Sequence, residues 1–264
     1  MSAALATAGR GAVAVRGAAV TFAARGGPVQ ALHPIDLDLA AGSFTSIIGP
    51  SGCGKSTLLN AIAGFVPVSA GRITVDGAAV TGPSPTVGVV FQQYALFPWF
   101  TARGNVEFAL KRFGLPAAER RDRAQAALAE VGLGARALSH PAQLSGGMRQ
   151  RVALARTLAS RPDVLLMDEP FGALDAQTRV AMQELLLEVW EKHRITVLFI
   201  THDVDEALLL SDRVHVMSAS PGRFIDTLDI TRARPRAADA VDTAYVDERN
   251  RILRLLRPAE SAPH

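Results

Sequence analysis

Nine consecutive residues, Gly49-Pro50-Ser51-Gly52-Cys53-Gly54-Lys55-Ser56-Thr57, hold the first recognisable chemistry of the chain. Their glycines let main-chain amides turn inward, and a helix beginning at the end of the string would aim its positive end at the same point. Lys55 can then reach the β and γ phosphates of a nucleotide, and Ser56 can offer its hydroxyl to magnesium. The plain alternative is a glycine-rich turn that opens a surface helix, with Lys55 laid along it. Cys53 sits where a helix end would lower a thiol pKa, but it is read as small filler inside the loop.

A second group follows an apolar run. Residues 164–167, Val-Leu-Leu-Met, lead into Asp168 and Glu169, so a buried strand delivers two acids to its exposed end. Asp168 suits a magnesium shell, and Glu169, one residue on, suits a general base for an attacking water. Without the upstream loop, the pair before Pro170 would be a solvated strand-to-loop junction. Residues 196–200 similarly end in Thr201-His202-Asp203, where His202 can meet a terminal phosphate or the water, or can be a satisfied histidine in a capping turn. Between loop and acids lies Leu144-Ser145-Gly146-Gly147-Met148-Arg149-Gln150-Arg151. Its Ser-Gly-Gly turn offers amides and the Ser145 hydroxyl at a helix start, a second anion site; the alternative is a plain N-cap with solvated arginines.

These residues require strands that end where helices begin. Residues 44–48 read as a strand before the loop, and the apolar run from Leu58 to about Gly64 as its helix. Strand character recurs at 71–75, 87–91, 164–167, 196–200 and 214–217, with helices at 176–193 and 203–210, an α/β pattern with a mainly parallel sheet. Residues 13–20 and 35–39 predict an antiparallel β portion, and 97–158 a mostly helical lobe. Pro221 and Gly222 predict a turn before a last strand, and 243–256 a terminal helix with Leu253, Leu255 and Leu256 partly buried. The expected division is a nucleotide-binding domain over 1–225 and a short C-terminal extension over 226–264.

Composition narrows the surroundings. The chain has 264 residues, 48% hydrophobic with 6% aromatic, which suits helices packed on a sheet. Its strongest apolar runs, 164–167 and 207–210, are far short of the roughly 20 residues that span a bilayer. No apolar segment of signal-peptide length occurs near Arg10 and Arg16, so a cytoplasmic location is expected. A single cysteine excludes an internal disulfide framework. A net charge of +3 is modest, and the arginines of 232–236 are expected to form a solvated tail.

Taken together, the motifs resemble those of the ATP-binding cassette family, whose signature reads Leu-Ser-Gly-Gly-x followed by glutamine or arginine. The resemblance covers about residues 13–225. It implies a P-loop NTPase core of RecA-like α/β type with an antiparallel β portion and a helical subdomain, and it implies ATP and Mg2+. Gly49 to Thr57 map to the phosphate loop, Asp168 and Glu169 to magnesium binding and base catalysis, and His202 to the switch histidine. Gln92 maps to the hinge glutamine, which senses the γ phosphate and is counted with Ser56 and Asp168 at the metal. Phe22 lies where an aromatic usually stacks on adenine, with a core phenylalanine as its alternative. Asp175 matches the loop that communicates across a dimer, in which Ser145, Gly146 and Gly147 of one subunit cover the ATP of the other. Phe97 and Trp99 are expected to contact a membrane partner.

Three segments, Leu96-Phe97-Pro98-Trp99, 170–176 and Ser220-Pro221-Gly222-Arg223, look like those of nitrate, sulfonate and taurine importer ATPases. The resemblance implies a peripheral subunit on the cytoplasmic face of a bacterial cell membrane. Its partners would be a second ATPase subunit, two transmembrane permease subunits and a periplasmic or extracellular solute-binding protein, with no nucleic acid. Aliphatic sulfonate or taurine is the leading cargo; nitrate or a thiamine-precursor pyrimidine follows. The competing classes are an exporter subunit, a soluble DNA-repair or translation ATPase, and a non-catalytic partner.

Overall fold

A computed structural model describes residues 9–219, 221–236 and 242–256. Ser220, part of one of the three importer-like segments, lies outside them, as do the ends of the chain. In chain order the elements are β1 (Val13–Phe22), β2 (Val29–Leu39), β3 (Phe44–Ile48), α1 (Lys55–Ile62), β4 (Ala70–Val75), β5 (Ala78–Ala79) and β6 (Val87–Val90). Then come α2 (Ala102–Leu110), α3 (Ala117–Glu130), α4 (Gly146–Leu158), β7 (Val164–Asp168), α5 (Ala176–His193), β8 (Thr196–Thr201), α6 (Val204–Leu210), β9 (Arg213–Met217), β10 (Phe224–Asp229) and α7 (Thr243–Leu256).

The core sheet runs β10-β9-β3-β8-β7-β6, parallel except for β10. Strands buried on both faces read as continuous apolar runs, which is why 44–48 and 164–167 show no alternation. Alternation reappears in what each residue touches. Leu165, Met167, Val197 and Phe199 join the core shared with the helical lobe, while Val164, Leu166, Leu198 and Ile200 pack towards α1 and the antiparallel strands. Because β3, β7 and β8 are parallel neighbours, their C-terminal ends lie side by side, and the phosphate loop, Asp168 and His202 follow those ends.

The second sheet, β2-β1-β4-β5, is antiparallel. Its first strand buries Val13 and Val15, then Ala18 and Val20, so the inward parity changes midway. A register shift between Val15 and Ala18, with Gly17 in the left-handed region at φ 56°, inserts the extra residue. This bulge explains why the sequence alternates only loosely there. The lobe of α2, α3 and α4 closes over Leu110, Leu128 and Val152.

β10 runs across position 225 and carries the core sheet into the C-terminal extension. There α7 docks on α6 through Ile252, fully buried, with Leu253, Leu255 and Leu256 half-buried. The arginines of 232–236 are not a solvated tail. Arg232 donates to the Leu208 carbonyl at 3.2 Å and to Glu248 at 3.0 Å, and Arg236 to the Ser211 carbonyl at 2.5 Å. Arg234 donates to the Leu210 carbonyl and lies over the Trp190 ring, 4.3 Å from its centroid. The unpaired carbonyls at the negative end of α6 draw these guanidiniums in, a tertiary demand that a charge count does not show.

His215, on β9, is buried, bonded through Nδ1 to the Thr227 hydroxyl at 2.9 Å and packed at a tilt against Phe224, 4.8 Å between ring centroids. Burial pushes its imidazole down to about 4 from the ordinary 6.5, with the Arg213 charge adding in the same direction. The fold therefore holds it neutral while the unfolded chain takes up a proton first. Its contribution is fully present above pH 6.5 and is lost as pH falls towards 4, amounting to about 3 kcal/mol. Denaturant unfolding at pH 7 and pH 4.5 should show a parental loss larger than that of His215→Phe; equal losses in the two proteins would refute it.

Candidate functional site

The phosphate loop takes its shape from two glycines. Gly54, the N-cap of α1, has φ 96°, and a Cβ there would lie 2.6 Å from Leu32. At Gly222 a Cβ would lie 1.9 Å from the Cys53 carbonyl. The Pro-Gly-Arg turn, which in sequence is only a turn before a strand, thus seats the back of the loop and is tied to β2 by hydrogen bonds with Ala31 and His33. Cys53 is fully buried, as filler should be.

Lys55 is not a surface side chain. It is 5% exposed, and its Nζ donates to the carbonyls of Gly49 at 2.8 Å and Pro50 at 3.0 Å. A groove above the loop is walled by loop residues 51–57, by Val29, Gln30 and Ala31, and by Glu169. Gly49 and Pro50 form the strand-side base of the loop. Phe22 is exposed rather than core; it pairs in register with Val29, at the rim of this groove but not in its wall.

Two pairs of sequence-predicted residues meet here. Ser56 Oγ donates to Asp168 Oδ1 at 3.0 Å, and His202 Nδ1 lies 3.0 Å from Glu169 Oε2. Burial raises the Asp168 pKa; the Ser56 hydrogen bond opposes that, the Glu169 charge reinforces it, and Lys55 opposes it. Glu169 lies just past β7 with φ 44°, its N–H donating to the Ile200 carbonyl at 2.9 Å. A left-handed backbone at a non-glycine residue costs energy, on the order of 1–3 kcal/mol, and turns Glu169 away from the strand's pleat towards His202. Simple strand alternation does not anticipate that direction.

A hydroxyl and a carboxylate form an all-oxygen pair that fits magnesium, which keeps several waters and takes few protein ligands. Among the described residues no group of three or more His, Cys, Asp or Glu could hold a metal ion. The Gln92 amide borders Gly172, 3.5 Å from where a Cβ would project, with Glu169 Oε2 3.9 Å from the same point.

Ser145, Gly146 and Gly147 do not line the groove. Ser145 caps α4, accepting from Met148 N at 3.3 Å. Gly147 packs so closely on Thr178 that a Cβ would come within 2.3 Å of Cγ2. Asp175 caps α5, accepting from Thr178 N at 2.9 Å and from its hydroxyl at 2.8 Å, bonds that lower its pKa. Sequence reasoning missed Arg156, which grips the turn after Gln92 by donating to the Ala95 carbonyl at 2.6 Å and that of Tyr94 at 3.2 Å. Only its position on the inward side of α4 could have marked it.

Phe97 and Trp99 lie on a loop held by buried Asn105, whose Oδ1 accepts from Phe97 N at 2.8 Å while Nδ2 donates to three nearby carbonyls. Phe97 is half-buried against Phe108, 4.6 Å between centroids, whereas Trp99 is 68% exposed. Beside them an open groove carries Phe65, Phe91, Phe97 and Phe108, with Lys111 and Arg112 at its rim.

A sequence model of the ABC transporter family matches residues 32–172. The taurine import ATP-binding protein TauB of Rhizobium johnstonii is 53% identical over 230 residues, covering 87% of each chain. The nitrate import ATP-binding protein NrtD of Synechocystis is 51% identical over 209 residues, covering 79% of each. Among solved structures, an ATP-binding cassette seen as a dimer in a post-hydrolysis state with ADP and Pi aligns with a TM-score of 0.74 at 32% identity, over 84% of this chain and 100% of that one.

Proposed function

The chain belongs to the ABC transporter family and is an ATP-hydrolysing cassette of its importer branch, and from that premise we propose that it drives uptake of an aliphatic sulfonate, taurine first, through a bacterial cell membrane. The single observation that carries the hydrolytic assignment of residues is the 3.0 Å contact between Glu169 and His202 beside the loop groove. Amides of the loop and the start of α1 bind phosphate oxygens, with Lys55 at the β and γ phosphates. Glu169 orients the attacking water and accepts its proton, and His202 holds the Glu169 carboxylate and faces the terminal phosphate. Ser56 and Asp168, with Gln92 from the neighbouring turn, hold magnesium, which when bound offsets charge on the phosphates.

The start of α4, with Ser145 exposed and Gly146 half-buried, lies outside the groove of its own subunit, which supports a pair of subunits in which each signature covers the other's ATP, with Asp175 at their junction. Phe22 stacks on adenine at the groove rim. No helix among the described residues is long and apolar enough to cross a membrane; the importer reading pairs the chain with two permease subunits that carry the solute across and a solute-binding protein that delivers it. The aromatic groove beside Phe97 and Trp99 receives the permease on the cytoplasmic face. Nitrate is the second reading of the cargo, supported by the nitrate import relative.

Affinity capture of the full chain from membranes, followed by a ligand assay on the co-purified solute-binding protein with taurine, other sulfonates and nitrate, tests the assignment. Recovery of repair or translation factors without a permease would overturn it. Trp99→Ala is expected to weaken permease binding by about 30-fold or more, the effect of a hot-spot aromatic, with stability changed by no more than about 0.5 kcal/mol. A sharp fall in melting temperature with normal permease binding would show that the ring serves the fold.

A further inference from the structure

We propose that Arg179 is a positioning residue for hydrolysis, a rigid fork that ties the loop ending at Asp175 to the turn carrying His202, so that the two move as one. The inference rests on the two-site reading above.

Arg179 sits one turn into α5 and bonds through its two terminal guanidinium nitrogens to two elements, the loop before α5 and the start of α6, with Nε held only by charge. Its NH2 donates to the Leu174 carbonyl at 3.2 Å, NH1 to Asp203 Oδ2 at 3.5 Å, and Nε lies 3.8 Å from Glu206 Oε1. Leu174 immediately precedes Asp175, and Asp203 immediately follows His202. The acceptor side is itself fixed. Asp203 Oδ1 is occupied by the N–H groups of Asp205 at 2.9 Å and Glu206 at 3.2 Å. Buried Glu206 receives the Thr201 hydroxyl at 2.7 Å and the Gln183 amide at 3.3 Å, and Thr201 Oγ1 in turn accepts from Asp203 N at 3.0 Å. His202 thus stands between two residues that are both locked to the Arg179 network.

The other arm reaches the signature. A Cβ on Gly146 would lie 3.8 Å from Leu174, and one on Gly147 would lie 2.3 Å from Thr178, whose amide and hydroxyl hold Asp175. A contiguous path of packed and bonded groups therefore runs from the signature, through Leu174 and Arg179, to Asp203, His202 and Glu169. In a dimer the signature touches the partner's ATP while His202 serves its own. Arg179 consequently reports occupancy of one site to the hydrolytic residues of the other.

A planar guanidinium can hold a carbonyl and a carboxylate on separate elements at once, whereas an ammonium keeps the charge but not the fork. Arg179→Lys is thus the discriminating variant. The full chain and the variant are compared for melting temperature, ATP affinity, and phosphate release as a function of ATP concentration. The expected result is parental folding and ATP affinity, kcat lower by about 10- to 100-fold as for a misplaced catalytic group, and a Hill coefficient falling from near 2 towards 1. Parental kcat and Hill coefficient would overturn the proposal, as would a loss of kcat that merely follows the folded fraction.

Asp203→Asn keeps the α6 cap and neutralises the fork's partner, so it should show the same split between kcat and ATP affinity, and it decides the matter if Arg179→Lys does not fold. The double variant should be no worse than the poorer single one; additive losses would mean that the residues act separately. Absence of ATP hydrolysis in the parent would instead sink the functional assignment, leaving the two failures distinguishable.

Discussion

Glu169→Gln is expected to retain ATP and magnesium binding while phosphate release falls by about 10²- to 10⁴-fold, the usual worth of a positioned general base. Glutamine preserves the shape and an oxygen that can face His202 Nδ1, now 3.0 Å away, but it cannot take a proton from water. The binding groups, Lys55, Ser56 and Asp168, are untouched. With hydrolysis blocked, ATP should hold two copies together through Ser145, Gly146 and Gly147 of each. Adding ATP to the purified variant should shift its mass from monomer to dimer, whereas the parent should return to monomer as ATP is consumed. Phosphate release and mass are measured on the same samples, with and without magnesium. Turnover near the parental level would reject the base and leave Glu169 an acid in a strained turn; lost turnover without dimers would count against ATP-driven closure of the isolated subunit.

What sequence reveals here depends on whether a function is written in contiguous residues. The loop at 49–57 is readable because amide geometry, helix onset and lysine are all specified within nine positions. The parallel core is readable because doubly buried strands leave apolar runs such as 164–167. Ser56 and Asp168 are 112 residues apart, and their meeting follows only once both are assigned to adjacent strand ends. The unread parts are those in which a residue's partner is distant and its own type is ordinary. Arg179 is one charge on a mixed helix, and Arg234 one of three arginines in a charged stretch, yet each is held by carbonyls that only the fold brings near. Gly222 looks like any turn glycine, although what excludes a side chain there is the Cys53 carbonyl, 169 positions earlier in the chain. Glu169 escapes strand logic for another reason, since its left-handed backbone is imposed by the site and not by local propensity.

Lys55→Met is expected to lower ATP affinity by about 100-fold or more, with turnover at ordinary ATP concentrations falling by a similar factor. The buried stem argues for Met over Ala as the first variant, because Lys55 is 5% exposed and an alanine would leave a gap as well as remove a charge. Its Nζ now satisfies the carbonyls of Gly49 and Pro50, so the ammonium is already desolvated and aimed along the inside of the loop. When phosphates enter, the same group can turn from neutral carbonyls to charged oxygens, which adds ion-pair attraction to bonds already assisted by the ammonium's own charge. The fold should lose on the order of 1–3 kcal/mol, because the buried Gly49 carbonyl is left without its donor. Nucleotide titration and thermal unfolding on the same preparation separate the two effects. If Lys55→Met binds ATP as the parent does, the lysine is only a brace for its own loop. If it fails to bind but also melts far below the parent, Lys55→Arg decides: it restores charge without the compact ammonium, and a fold regained without ATP affinity would place the function in the lysine's fit to phosphate.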